Sequence, residues 1–282
     1  MHVTRFVCSV LFCATFGISH LSGRAHARDQ SSSDLFKLLI SAEGTRYFEL
    51  RNDIVGQGGA AVPFLQGQRT NEDLRARVLS GAVLSWISES ESNLLRARTL
   101  GDLVREASRH QAGMLRTLQG MSFGTWGSLN GPVPRGDALD DPAAAPFLLE
   151  AALKGIAPSP GQKEAYGGIW VRSLAAGLLG GLPDPDVLPV LRELVRDERF
   201  EIRACACTGL RRLKTPESTE TLIITLSDKN QEVRRTCRGG VVDATDQDFG
   251  EDQEKWIAWW RENKSKWPFN DRKPGAKMLL IK

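Results

Sequence analysis

Few residues of this chain have reactive potential, and their spacing suits none of the common chemistries. The chain carries four histidines, at positions 2, 20, 26 and 110. His110 is the one that lies beyond the N-terminal segment, in an Arg-rich helical context that suits a solvated surface residue better than a ligand. No nucleophile elbow, phosphate-cradling Gly-Lys loop or Cys-x-x-Cys appears. The acidic run Asp246, Asp248, Glu251, Asp252 has part of a calcium-loop spacing. It lacks the central acid and the distal glutamate, where Ile257 stands. Asp252 or Glu251 is better placed to cap the helix that follows. The chain is therefore expected to hold no metal and no cofactor, and to have no catalytic residues.

The arginines are the remaining candidates. Arg211 and Arg212 stand near the end of one helical stretch and Arg235 and Arg238 in the next, where they would form a local basic patch for an anionic partner or a solvated charged face. Phe123 and Trp126 sit in a Gly/Pro-rich stretch, 120–142, which is read as an irregular loop. They serve there as binding anchors of a flap or as pins that hold a linker down. These six residues are the binding candidates.

The elements that position them follow from a repeat. Val171-Arg172, Ile202-Arg203 and Val233-Arg234 recur at intervals of 31 residues, and Pro185/Pro216, Asp197/Asp228 and Glu201/Glu232 share that interval. Such a period is the signature of stacked helix pairs. First helices are predicted at 185–196 and 216–227, and second helices at 170–182, 199–213 and 230–244. Val171/Ile202/Val233, Ala175/Ala206/Cys237 and Leu179/Leu210/Val241 then stack as one apolar stripe per helix. An echo occurs earlier: the steps from Pro63 to Asn71 and Arg77 match those from Pro189 to Asp197 and Arg203. Asp34 is read as the cap of a first short helix, and 94–118 as a helix broken near Gly113. Of the seven tryptophans, four fall between 256 and 267. Trp256, Trp259 and Trp260 share one helix face, which closes the apolar end of the array.

The domain plan is a leader at 1–27, a helical region at 34–119, the loop at 120–142, the repeats and their cap at 143–267, and a basic tail at 268–282. The leader reading rests on Arg5, the apolar run 6–18 and the small residues Ala25 and Ala27, with cleavage after Ala27. It predicts an exported protein, periplasmic or extracellular, with no membrane span. Removing 1–27 removes two arginines and no acid, so 37 − 2 = 35 basic residues face 34 acidic ones. A net charge near zero gives no reason to expect nucleic acid. Cys205, Cys207 and Cys237 remain of the five cysteines. Cys205 and Cys207, two positions apart on a helix, cannot both face the core. Cys237 occupies a small buried position and can bridge to either.

The pattern Pro189, Asp197, Ile202-Arg203, then Asp228, Val233-Arg234, resembles the HEAT-repeat signature, in the short-period form of the phycobilin-lyase-like repeats. The resemblance implies an all-α fold, an α-solenoid closed by the Trp-rich C-terminal helix. It also implies a ladder of Arg172, Asp197, Arg203, Asp228 and Arg234, in which each aspartate caps a second helix and pairs with arginines of adjacent repeats. The implied function is an exported scaffold that binds a protein partner without catalysis. The alternatives are an enzyme or lyase of the phycobilin-lyase-like class, and a binder of anionic polymer through the arginines.

Overall fold

The computed structural model describes residues 30–88, 90–119, 137–157 and 164–269. The expected leader, together with Phe123 and Trp126, lies outside the described residues. Those described form twelve α-helices and short 3-10 turns, with no strand among them. The helices are α1 (Ser32–Ser41), α2 (Gly44–Gly56), α3 (Val62–Gln68), α4 (Leu74–Ile87), α5 (Ser90–Gln119) and α6 (Ala145–Lys154). They continue with α7 (Glu164–Leu179), α8 (Val187–Leu194), α9 (Phe200–Leu213), α10 (Pro216–Thr225), α11 (Gln231–Thr245) and α12 (Gln253–Asn263).

The helix pairs are α3/α4, α6/α7, α8/α9 and α10/α11, and α12 closes the array against α10. Second helices α7, α9 and α11 stack side by side. The predicted stripes are their core: Val171, Ile202, Val233, Ala175, Ala206, Cys237, Leu179, Leu210 and Val241 are all at most 2% exposed. A second core joins α1 to α4 through Leu35, Phe36, Tyr47, Leu50, Ile54, Leu65 and Leu79. Helix α4 serves both cores, because Val78 belongs to the large one and its neighbour Leu79 to the small one.

Several expectations are corrected. Ser31, not Asp34, caps α1: its hydroxyl accepts from the Asp34 amide, and Asp34 lies in the first turn. Gly113 does not interrupt α5, which runs unbroken to Gln119. Within 120–142, Asp137–Leu139 form a 3-10 turn whose Ala138 and Leu139 are buried on α5, so that part of the stretch is not an irregular loop. The echo pair α3/α4 also does not simply continue the array. Helix α5 takes the place beside α7 that a second helix would hold, and α4 packs on α6 instead.

The arginine ladder is present, with its aspartates in a different role. Arg172 meets Asp197 at 2.6 Å, and Arg203 grips Asp228 with two bonds at 2.7 and 2.9 Å. Arg234 ends the series on Glu251 of the cap at 2.7 Å. Each of Arg77, Arg203 and Arg234 also donates to the carbonyl six residues before it, at 2.7, 2.9 and 2.9 Å. Asp197 and Asp228 do not cap the second helices. They accept the amide two residues on, at 2.9 and 2.8 Å, and so shape the turn before the helix. The α11 cap is Asn230, and Arg199, the N-cap of α9, makes no side-chain cap bond. Arg77, out of register, takes Asp186 at 2.7 Å.

Burial disfavours the charged form of Asp228, but the Arg203 bonds and the Asn230 amide outweigh it and hold the carboxyl below the usual carboxylate range. A depressed folded-state pKa stabilises fully above the unfolded value, about 3.9, and that stabilisation is lost as pH falls through the folded value. Unfolding followed by denaturant at pH 6 should show Asp228→Ala destabilised by about 3–5 kcal/mol, because the buried Arg203 guanidinium is left without its carboxylate partner. The gap between wild type and variant should shrink as pH falls from about 4 toward 2.

Candidate functional site

Each second helix has a core face and an exposed one. On α7 and the turn that follows it, this face falls on Trp170, Leu174, Gly177 and Gly181, spaced i, i+4, i+7 and i+11. The period of 31 carries these onto α9 and α11 as four rows: Trp170/Glu201/Glu232, Leu174/Cys205/Thr236, Gly177/Thr208/Gly239 and Gly181/Arg212/Asp243. Contacts confirm the alignment. A Cβ at Gly177 would lie 4.0 Å from Thr208 Cγ2, and one at Gly181 would lie 3.0 Å from the Arg212 guanidinium. Apart from Leu174, which is 8% exposed, every member of the four rows is half-buried or exposed.

The two middle rows form a floor of small side chains, Gly177, Cys205, Thr208, Thr236 and Gly239. A Cβ built at Gly239 meets nothing within 4 Å. Helix α5 walls the α7 end, where His110 packs on Trp170 with ring centroids 5.9 Å apart. His110 is thus not a freely solvated residue, and burial lowers its pKa.

The helices reach this spacing through glycine. A methyl group at Gly209 would lie 2.4 Å from the Ala176 carbonyl oxygen and 2.8 Å from Leu191. One at Gly240 would lie 2.8 Å from Leu222. The Cys207–Cys237 disulfide adds a covalent link between α9 and α11 at a Cα separation of 5.1 Å. Cys207 is therefore the partner of Cys237, and Cys205 is free. Although Cys205 keeps some surface, burial around its thiol, assisted by the charge of Glu201, pushes its pKa up to about 12. A thiol so poorly ionised is a weak nucleophile, which makes Cys205 part of the floor rather than a reactive centre.

The four arginine candidates rim this face, but they are not a bare basic patch. Arg211 pairs with Asp243 at 3.2 Å and Arg235 with Glu232 at 2.9 Å. Arg238 takes both oxygens of Asp248. The same bonds raise the Arg238 pKa and lower that of Asp248. Arg212 donates to the Gly177 carbonyl oxygen at 3.4 Å. The acidic run is likewise in use: Asp248 and Glu251 pair with Arg238 and Arg234, and Asp252 caps α12. Among the described residues no group of three or more His, Cys, Asp and Glu is arranged to hold a metal. At the far end Trp256 and Trp260 are buried and Trp259 packs beside them, joined by Phe249, Trp267 and Phe269.

Sequence reasoning missed one constellation. Glu150, buried in α6, accepts from the Tyr47 hydroxyl at 2.7 Å, from Arg51 at 2.9 Å and from Trp86 Nε1 at 2.6 Å. The guanidinium carbons of Arg51 and Arg96 lie 3.8 and 4.0 Å from the centre of the same Trp86 ring. One turn on, Lys154 Nζ donates to the Ala42 carbonyl oxygen at 2.8 Å and to Glu43 at 2.7 Å. Burial raises the Tyr47 pKa, with help from Glu150, and lowers that of Lys154 against the pull of Glu43. The one signal in the sequence was a Glu and a Lys inside the otherwise apolar helix APFLLEAALK. These groups fasten α1–α4 to the array, and residues 64 to 112 positions apart meet there.

The fold and this face define an α-solenoid of stacked helix pairs. Residues 169–238, which fall within α7 to α11, match the family model for HEAT repeats. A search of curated proteins returns no match. Among solved structures the chain is similar to the complex of CpcE and CpcF of phycocyanin lyase from Nostoc sp. PCC7120. The identity is 21%, over 74% of this chain and 96% of that one, at a TM-score of 0.29. It is also similar to YibA of Escherichia coli, at 15% identity over 82% of this chain and 77% of that one, with a TM-score of 0.26. Superpositions this loose assign no function.

Two glycines, one on α11 and one on α9, should respond oppositely to alanine. Gly239→Ala enters open space in a helix and should stabilise by about 0.5–1 kcal/mol. Gly209→Ala drives a methyl group into backbone and should destabilise by about 1–3 kcal/mol, overpacking outweighing the gain in helix propensity. Thermal unfolding of the two variants reads both signs.

Proposed function

We propose that this protein is a non-catalytic HEAT-repeat scaffold that binds a protein partner along the exposed face of α9 and α11. The observation that carries this reading is the floor of Cys205, Thr208, Thr236 and Gly239 between rims whose charges are already paired. Small side chains let the backbone of a docked segment approach closely, and the period sets the same spacing of helices along its length. Internally paired rims favour a partner read by shape and hydrogen bonds over an anionic polymer held by net charge. The Cys205 thiol, with a pKa of about 12, and His110, whose pKa is lowered by burial alone, are not an activated nucleophile and base, which speaks for binding over lyase chemistry.

Export belongs to the same proposal. It rests on the apolar run 6–18, the small residues Ala25 and Ala27, and a disulfide of the kind that persists in oxidising compartments. Among the described residues no helix is long and apolar enough to cross a membrane.

The test of binding is affinity capture and crosslinking with the processed protein in its native envelope fraction. Thr208→Trp and Gly239→Trp, which fill the floor, should lower retention of the captured protein at least tenfold at an unchanged melting temperature. Charge reversal at Arg211 should change retention little. Turnover of a small molecule with no reproducible protein partner would overturn the scaffold reading. Compartment has its own test. Protein purified from the producing cells under alkylating conditions should have Cys207 and Cys237 blocked, and Cys207→Ser/Cys237→Ser should cost about 3–4 kcal/mol for a loop of this length.

A further inference from the structure

The array has two ends, and each carries an exposed apolar patch that the second-helix face does not explain. Helix α5 forms one end. It turns Leu103 and Ala107 into the large core, and Thr99 is buried beside them. Leu94, Arg98, Gly101, Val104, Arg105 and Ser108 lie on the opposite side of the helix, and all are exposed, Leu94 by 63%. The charge on this side is positive. Arg105 and Arg109 pair with Asp102 and Glu106, one turn back. Both arginine side chains are 60% exposed, whereas the two acids are 15% and 9% exposed, so the cations stand outermost. Arg98 adds a third.

Helices α10 and α12 form the other end. Ile224 of α10 is 59% exposed, and Ile257 of α12 is exposed with it. They belong to one surface. Gln253 Nε2 donates to the carbonyl oxygens of Ile223 and Ile224 at 3.1 and 2.6 Å, and Ile257 lies one turn after Gln253 on the same side of α12. Glu217 and Glu220 precede Ile224 on the exposed side of α10, and Glu254 adjoins Gln253. Acids therefore surround the α10 side of the two isoleucines, while Arg261 and Lys264 lie farther along the chain, past Ile257.

The two patches match in kind and oppose in sign. Each has two aliphatic side chains at its centre, with cations around one and carboxylates around the other. A single copy cannot bring them together, because α5 stands beside α7, α12 stands beside α10, and the stacked repeats lie between.

We infer that the acidic end of one copy docks on the basic end of the next, so that this chain associates with itself head to tail. Ile224 and Ile257 meet Leu94 and Val104, and Glu217, Glu220 and Glu254 meet Arg98, Arg105 and Arg109. The two surfaces differ, so the contact is heterologous: it leaves a free end on each side and does not stop at a dimer. With few apolar groups it belongs to the weak, transient class, and its charges make it sensitive to salt. Neither patch belongs to α9 or α11, so the inference stands apart from the partner-binding face.

The test is sedimentation of the purified protein from about 1 µM to about 1 mM, the range of weak association. At low salt the mean mass should rise past that of a dimer, and about 0.5 M salt should return it to the monomer. Leu94→Glu/Arg98→Glu alters one end and Glu220→Lys/Ile224→Lys the other, all at exposed positions. Each variant alone should need about tenfold more protein or greater to associate, at an unchanged melting temperature. Mixed one to one, the two variants should associate again, because both ends of one are then acidic and both ends of the other basic. A monomer at every concentration would overturn the inference, and so would failure of the mixed variants to associate. A plateau at the dimer that only one of the variants abolishes would assign that patch to a two-fold contact with itself, and would overturn it too.

Discussion

The structure depends most on one recurring bond, an arginine that opens a second helix and reaches the acidic group of the next turn. Arg203 shows it in full. Its guanidinium holds both oxygens of Asp228 in the following repeat and the carbonyl oxygen of Asp197 in its own turn. Each arginine therefore fixes two things, the turn within its pair and the distance to the next pair. Glycines at Gly209 and Gly240 let the helices approach as closely as that distance demands. The exposed face of α9 and α11 follows from both. Its rows stay aligned because the ladder holds the register, and the side chains along its middle rows are mostly small.

The ladder holds between neighbours of like kind and needs different chemistry at each end. Toward the C-terminus Arg234 finds Glu251 in the cap, and aromatic packing around Trp256 takes over from aliphatic stripes. Toward the N-terminus α5 replaces α4 beside α7, and the arginine of α4 keeps the bond within its own turn but finds its acid elsewhere. Arg77 turns to Asp186, Arg75 to Glu193, and Glu150 gathers Tyr47, Arg51 and Trp86. These buried and half-buried, charge-assisted bonds are directional, so they set how the N-terminal helices sit on the array more narrowly than apolar packing would.

Much of the fold was legible because it repeats. One row of Val171, Ile202 and Val233 is weak evidence, but three such rows at one interval define helix, face and neighbour together. The echo at Pro63, Asn71 and Arg77 correctly marked a helix pair and wrongly suggested its register, because local spacing says nothing about which element a long insertion places alongside. The four rim arginines were legible as exposed and charged. That Asp243, Glu232 and Asp248 neutralise three of them was not, since those partners come from other turns or from the loop after α11. Asp197 and Asp228 were found by position, yet their turn-forming role depends on backbone geometry that spacing does not reveal.

The sequence by itself determined the helix pairs, the stacking stripes, the ladder arginines and the tryptophan cap. All are periodic or local, and periodicity records the environment of a residue directly. Tertiary structure alone decided that Cys207 rather than Cys205 meets Cys237, and that α5 stands beside α7. It alone decided that Glu150 binds three side chains from two other helices. The physical reason is range. A pairing across 99 residues, such as Arg51 with Glu150, leaves no trace in local spacing, and the choice between two cysteines two positions apart depends on which face of α9 turns toward α11.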